Sequence, residues 1–227
     1  MIAVLAVLGA CSPSGPTTLE AIAAHKDAIG AIRTRLQTAA AALYAKDAAF
    51  PECTGDRGFV YAQDGKATLD IMAVEALGDP NGKSEPIDYM LSEDLQRCLV
   101  WASPNTKVLP DPDQGGAVAK SFGECEKLTH VLLTRNTGHD REKGLLQTTF
   151  YLTDIAAGRI ECQFAIEASA DANRGIVRYD LVDTSTNKAV GPTQSRDEYA
   201  NVLWIAARAQ LQPALKQHLG LVADLKP

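Results

Sequence analysis

The chain has 227 residues, 46% hydrophobic and 22% charged, with a formal net charge of −6. That length suits one domain with a real core, and the composition excludes a disordered or fibrous protein. The acidic balance argues against a nucleic-acid partner and against adhesion of the folded surface to anionic headgroups, since both want a basic face. No apolar run approaches the roughly 20 residues that a bilayer span requires.

Ile2 to Ala10 is an unbroken run of apolar and small residues, followed by Cys11 and the turn-forming Ser12-Pro13-Ser14-Gly15-Pro16. A run this short reads as the apolar core of a signal peptide and not as a span; the alternative, with Ile2 to Leu8 as a buried first strand of a cytoplasmic α/β domain, lacks a region of parallel-strand pattern to pair with. Ordinary secretory cleavage after Ala10 would want a small residue where Leu8 stands. The stretch Leu8-Gly9-Ala10-Cys11 resembles the lipobox of bacterial lipoprotein precursors: a branched apolar residue, two small residues, then cysteine. The resemblance implies cleavage before Cys11 and acylation of its thiol. Two or more acyl chains hold a protein stably on a membrane where one does not. It also implies a chain on the envelope side, and Ser12 in place of Asp points to the outer membrane facing the periplasm in a Gram-negative host. The expected organisation is a signal peptide at 1–10, a lipidated tether at 11–16 and a single α+β domain at 17–227.

Thr17-Thr18-Leu19-Glu20 offers a capping box, and Ile22, Ile29, Leu36 and Leu43 recur every seven residues. Together they predict a long helix from Thr17 to about Asp47, with Ala23, Ile32, Ala39 and Ala40 widening its apolar stripe. Phe59-Val60-Tyr61 suggests a short strand before the Asp64-Gly65 turn. Leu69, Met72, Ala73, Ala76 and Leu77 match helical spacing, and a helix capped by Ser92 runs through Leu95, Cys98, Leu99 and Ala102. A Pro/Asp/Gly loop covers about Ser103 to Gly116. Four consecutive antiparallel strands follow: Val131–Arg135, Leu146–Asp154, Arg159–Glu167 and Ile176–Asp183. The third alternates, with Ile160, Cys162, Phe164 and Ile166 on one face and Glu161, Gln163 and Glu167 on the other. Ser195-x-x-Glu198 opens a closing helix that contains Pro213 and stops at Gly220. The fold class expected is α+β: an antiparallel sheet of about four to five strands packed against long N- and C-terminal helices on its apolar face.

Beyond Cys11, the cysteines Cys53, Cys98, Cys125 and Cys162 are an even set in a chain expected to leave the cytoplasm, which points to two disulfides, with four buried free thiols as the alternative. With no Cys-x-x-Cys, a structural zinc site or thioredoxin-like motif is not expected. Of the three possible pairings we favour Cys53–Cys98 with Cys125–Cys162.

The sequence holds no Gly-x-Ser-x-Gly elbow, His-Glu-x-x-His, phosphate loop or dinucleotide fingerprint. His25, His130, His139 and His218 are scattered, and His130, at a strand start, reads as structural. Asp111-Pro112-Asp113-Gln114-Gly115 lacks the carboxylate a calcium loop would need where Phe122 stands, and reads as a turn. Glu161 with Glu167, and Asp180 with Asp183, read as solvated strand faces. The densest charge lies between Gly138 and Gly144, where His139, Asp140, Arg141, Glu142 and Lys143 form a candidate partner-binding loop.

These features point to a non-catalytic envelope lipoprotein that binds or scaffolds another envelope protein or a cell-wall component, held on the membrane through Cys11, with no cofactor. The rivals are a lipid-anchored hydrolase of envelope material and a carrier of a small apolar ligand. A pocket gathering His130 or His139 with a carboxylate would favour the hydrolase.

Overall fold

The computed structural model describes residues 15–45, 48–61, 67–78, 94–104, 106, 109–140, 142–169, 176–179, 182–183, 188–189, 194–197 and 199–221. The lipobox with Cys11, the Asp64-Gly65 turn and the caps expected at Ser92 and Glu198 lie outside these residues. The architecture is mixed α and β, with four α-helices and a four-stranded sheet among the described residues.

Helix α1 (Thr18–Ala42) begins where the capping box directs. The Glu20 amide donates to the Thr17 hydroxyl at 3.3 Å, and the Thr17 amide donates to the Glu20 carboxylate at 2.8 Å. Two orphan donors of the first turn are thus satisfied reciprocally. The same end is pinned tertiarily, because the Thr18 amide and hydroxyl donate to the carbonyls of Pro112 and Asp111. Ile29, Ile32, Leu36, Ala39 and Ala40 are buried as the heptad stripe predicts, whereas Ala23 is exposed. The helix stops about one turn short of Asp47, with Leu43 as its cap.

Strand β1 (Leu69–Ala73) and the 3-10 turn Val74–Leu77 replace the helix expected there. All five strand residues are buried, so the segment shows no alternation, and its apolar positions mimic a helical period. The strand expected at Phe59–Tyr61 reduces to a single parallel bridge from Tyr61 to Leu69.

Helix α2 (Asp94–Trp101) buries Leu95, Cys98 and Leu99. Helix α3 (Gly115–Cys125) was not expected; Val118, Phe122 and Cys125 fall on its buried face. The other strands are β2 (His130–Asp140), β3 (Leu145–Asp154) and β4 (Arg159–Ser169). The sheet order is β1-β2-β3-β4, in which β2, β3 and β4 form an antiparallel meander. Strand β1 joins β2 in parallel, so the sheet is mixed and not purely antiparallel. A parallel neighbour needs a long crossover, here containing α2 and α3.

The strand expected over Ile176–Asp183 does not extend the sheet. It divides into β5 (Ile176–Tyr179) and β6 (Val182–Asp183), which pair with β8 (Gln194–Asp197) and β7 (Lys188–Ala189) as two separate ribbons. Ser195 therefore sits in β8 opposite Arg178, and it does not cap a helix. Helix α4 (Tyr199–Leu219) runs through Pro213 and ends at Gly220, whose φ of 66° and amide bond to the Lys216 carbonyl form a left-handed cap.

The two long helices do not share a face of the sheet. On one side, Met72, Val131, Leu133 and Tyr151 pack with α1, α2 and α3. On the other, Leu69, Ile71, Leu132, Phe150, Leu152, Cys162, Phe164 and Ile166 pack with Leu203, Ala207, Leu211, Leu215 and Leu219 of α4. Both faces are covered because both alternating sets of side chains on β2 and β3 are apolar. Among the described residues, no helix is long and apolar enough to cross a membrane.

Each helical layer carries one disulfide. Cys53–Cys162 ties the segment before β1 to β4 on the α4 side, and Cys98–Cys125 ties α2 to α3. The expected pairing of Cys53 with Cys98 and of Cys125 with Cys162 is therefore wrong. Cys98 and Cys125 lie in the core under α1, while Cys53 and Cys162 lie in the core under α4, so the sheet stands between the favoured partners.

Candidate functional site

The meander brings one polar residue from each of three neighbouring strands to one end of the sheet. His130 opens β2 directly opposite Asp154, which closes β3, and Asp154 lies opposite Arg159 on β4. These positions share the face covered by α4, as the neighbouring Leu132 and Leu152 show.

Glu161 joins them through a break in the ladder. Leu152 pairs with Cys162 and Thr153 with Ile160, which leaves Glu161 as the extra residue of a β-bulge. A bulge twists the strand and re-aims the side chain it carries. The consequence is visible in the core: Ile160 packs towards the α1 layer, whereas Cys162 packs towards α4. The three groups His130, Asp154 and Glu161 each offer one ligand-type atom, and these atoms lie within 4.8 Å of one another. All three residues are half-buried.

The surroundings orient the cluster. His130 Nδ1 is 3.0 Å from the Thr129 hydroxyl, and that hydroxyl donates to the Thr68 carbonyl at 3.0 Å. This contact orients the ring, so that Nε2 is turned towards Glu161. Nε2 lies 3.7 Å from Glu161 Oε2. Asp154 Oδ1 accepts the Ala157 amide at 3.0 Å, which fixes its carboxylate in the turn before β4. The Phe59 ring packs on His130 with centroids 4.8 Å apart, and Arg57 donates to Glu161 Oε2 at 2.5 Å. Arg57 is itself held in place, because its amide donates to the Leu219 carbonyl at the end of α4. A half-buried imidazole between two carboxylates and a guanidinium is equipped to hold a proton, a cation or a polar ligand.

The loop singled out by its charge is built differently. His139 and Asp140 are the last residues of β2, Glu142 and Lys143 form the turn to β3, and Arg141 lies outside the described residues. Asp140 and Lys143 form an ion pair at 2.8 Å, and the Lys143 amide donates to the same carboxylate. The Lys143 ammonium holds the Asp140 carboxyl below the usual range, and Asp140 in turn raises Lys143. His139, Glu142 and Lys143 remain exposed at this hairpin tip.

His130, expected to be structural, and Glu161, expected on a solvated face, are thus brought together with Asp154, which no sequence motif singles out. The bulge and the arrival of Arg57 have no local signature. His25, by contrast, pairs with Glu126 at 2.7 Å beside Phe122, and His218 bonds the Cys53 carbonyl at 3.0 Å while stacking on Phe164. Both read as structural. The turn at Asp111–Gly115 is structural too, since it seats the first residues of α1.

The chain matches no family model, no curated protein and no solved structure.

Proposed function

We propose that this chain is a bacterial envelope lipoprotein, anchored by acyl groups on Cys11, whose folded domain binds or scaffolds another envelope component. The observation that carries the reading is the distribution of its cysteines. All four that follow Cys11 are consumed in two intramolecular disulfides, which suits an oxidising compartment and leaves the lipobox thiol for acylation. Residues 12–16 then serve as a tether, with the domain seated outside the headgroups. The exposed His139-Glu142-Lys143 tip is one surface on which a polar envelope protein or cell-wall component would be met.

Intact-mass analysis of the membrane fraction tests this, comparing wild type with Cys11→Ser. The expected result is an acylated wild type beginning at Cys11 and a variant without the acyl mass, released from the membrane. A full-length, unacylated and reduced wild type in the cytosol would overturn the proposal.

A second reading has support from the clustering of His130 with Asp154 and Glu161. A histidine held between two carboxylates is the kind of group that a lipid-anchored hydrolase of envelope material would use. His130→Ala separates the two readings: a hydrolase loses activity on isolated cell-wall or lipid substrates, whereas a scaffold retains capture of its partner. The carrier reading has less to favour it, because among the described residues Phe122, Phe150, Leu132 and Leu211 between sheet and helices are all at most 1% exposed.

A further inference from the structure

We propose that His130, Asp154 and Glu161 form a divalent transition-metal site with zinc as its preferred ion. The proposal rests on the geometry at the end of the sheet, and it holds or fails independently of the lipid anchor.

The ligand positions come from three hydrogen-bonded strands, so the backbone that carries them is fixed before any ion arrives. Zinc takes nitrogen and oxygen donors at about 2.0–2.2 Å, which places tetrahedral donor atoms roughly 3.4 Å apart. The three groups already have donor atoms within 4.8 Å of one another, a gap that small side-chain rotations close. Three protein ligands around an open fourth position is the arrangement of zinc sites that keep a water or a substrate group.

The donor set selects the class of ion. One imidazole with two carboxylates suits zinc and its neighbours in the transition series, whereas calcium and magnesium prefer six or more oxygens. Imidazole ligands bind through one nitrogen while the other donates to a fixed acceptor. His130 is placed for that role: Nδ1 lies 3.0 Å from the Thr129 hydroxyl, and in the tautomer protonated at Nδ1 it donates there and leaves Nε2 for the ion. Nε2 lies 3.7 Å from Glu161 Oε2, so nitrogen and oxygen donors already face one another. Asp154 is oriented in the same sense, with Oδ1 held by the Ala157 amide and Oδ2 left to serve as donor.

Arg57 is the competing cation. It bonds Glu161 Oε2, so zinc would take Oε1, or take Oε2 after the guanidinium swings away. Arg57 thereby lowers the affinity of the site and does not belong to its ligand set.

The test is zinc titration of the full chain, stripped with chelator and with its disulfides intact, followed by calorimetry and by the visible spectrum of the cobalt form. One zinc per chain is expected, bound more tightly than manganese. His130→Ala and Glu161→Gln should each weaken binding by about tenfold or more. His218→Ala should bind as wild type, and Arg57→Gln at least as tightly as wild type. To separate a lost ligand from a lost fold, the zinc-dependent rise in Tm is measured on each variant. It should be present in wild type and His218→Ala, and absent from His130→Ala and Glu161→Gln that still melt cooperatively. Undiminished zinc binding by His130→Ala would overturn the proposal. So would a wild type that takes up no zinc at roughly 100 μM, a concentration that would reveal a specific site. A cluster held only by its ions would show the second result together with a lower Tm for His130→Ala.

Discussion

A β-carbon built on Gly115 would lie 1.8 Å from the carbonyl oxygen of Pro16. The first turn of α3 is therefore pressed directly against the backbone that leads into α1, and only glycine permits the approach. Gly115→Ala should force these segments apart and destabilise the fold by about 1–3 kcal/mol or more, the usual cost of overpacking. Gly116→Ala is the matched control. Nothing lies within 4 Å of its built β-carbon, so it should be neutral or stabilising by up to about 1 kcal/mol through helix propensity. Urea unfolding of both variants checks the pair, and equal midpoints would refute the close approach.

Asp70 is a buried carboxylate on β1, 2% exposed. One oxygen accepts the Ile71 amide at 2.8 Å and the other accepts the Leu95 amide at 2.9 Å, in the first turn of α2. It thus docks that helix N-terminus onto the sheet, where a negative charge also suits the helix dipole. Asp70→Ala leaves both amides unpaired in the interior and should cost about 1.5–3 kcal/mol, the usual worth of a hydrogen bond to a charged group. Chemical denaturation measures the loss, which a change under 0.5 kcal/mol would exclude.

The two disulfides close loops of different length, spanning 109 residues for Cys53–Cys162 and 27 for Cys98–Cys125. In the chain-entropy model their removal costs about 4.8 and about 3.5 kcal/mol respectively. Cys53→Ala with Cys162→Ala should therefore be the more damaging pair of substitutions. Peptide mapping without reductant should recover a Cys53–Cys162 fragment and a Cys98–Cys125 fragment. Recovery of a Cys53–Cys98 fragment would contradict the separation of these residues across the sheet.

The capping box at α1 gives a pH signature. The Thr17 amide, and then the Thr17 hydroxyl, hold the Glu20 carboxyl below its ordinary range. A carboxyl lowered in the folded state contributes stability that is complete above its unfolded pKa of about 4.3. That contribution disappears as the pH falls through the lower folded value. Melting curves of wild type and Glu20→Gln should accordingly differ at neutral pH and converge in acid. A constant difference across that range would mean that the ionised carboxylate contributes nothing.

Much of this fold is legible where one local signal is strong. Thr17 and Glu20 mark the start of α1, and the alternation around Cys162 and Phe164 marks β4. Helix α3 is hidden because Gly115, Gly116 and Gly123 dilute its periodic Val118, Phe122 and Cys125. Strand β1 misleads for the opposite reason: both of its faces are covered, so its apolar run has no strand period and borrows a helical one. The disulfide pairing depends on which side of the sheet each cysteine faces, and that is a tertiary fact. At the His130 cluster, the meander alone brings His130 and Asp154 together. Glu161 needs a bulge, and Arg57 needs to dock on the end of α4, neither of which a linear pattern displays.

The position of α4 has a consequence for the order in which the molecule is assembled. A chain delivered N-terminus first, whether from a ribosome or through a translocation pore, presents all four sheet strands before this helix arrives. Until then Leu132, Phe150, Leu152 and Phe164 lack the cover of Leu203, Ala207, Leu211 and Leu215, and an apolar sheet face so exposed is where early self-association begins. Cys53 and Cys162 both belong to the part delivered earlier, so their bond can form while the face is still open. A disulfide formed at that stage would hold the segment around Cys53 on the open face before the helix closes over it.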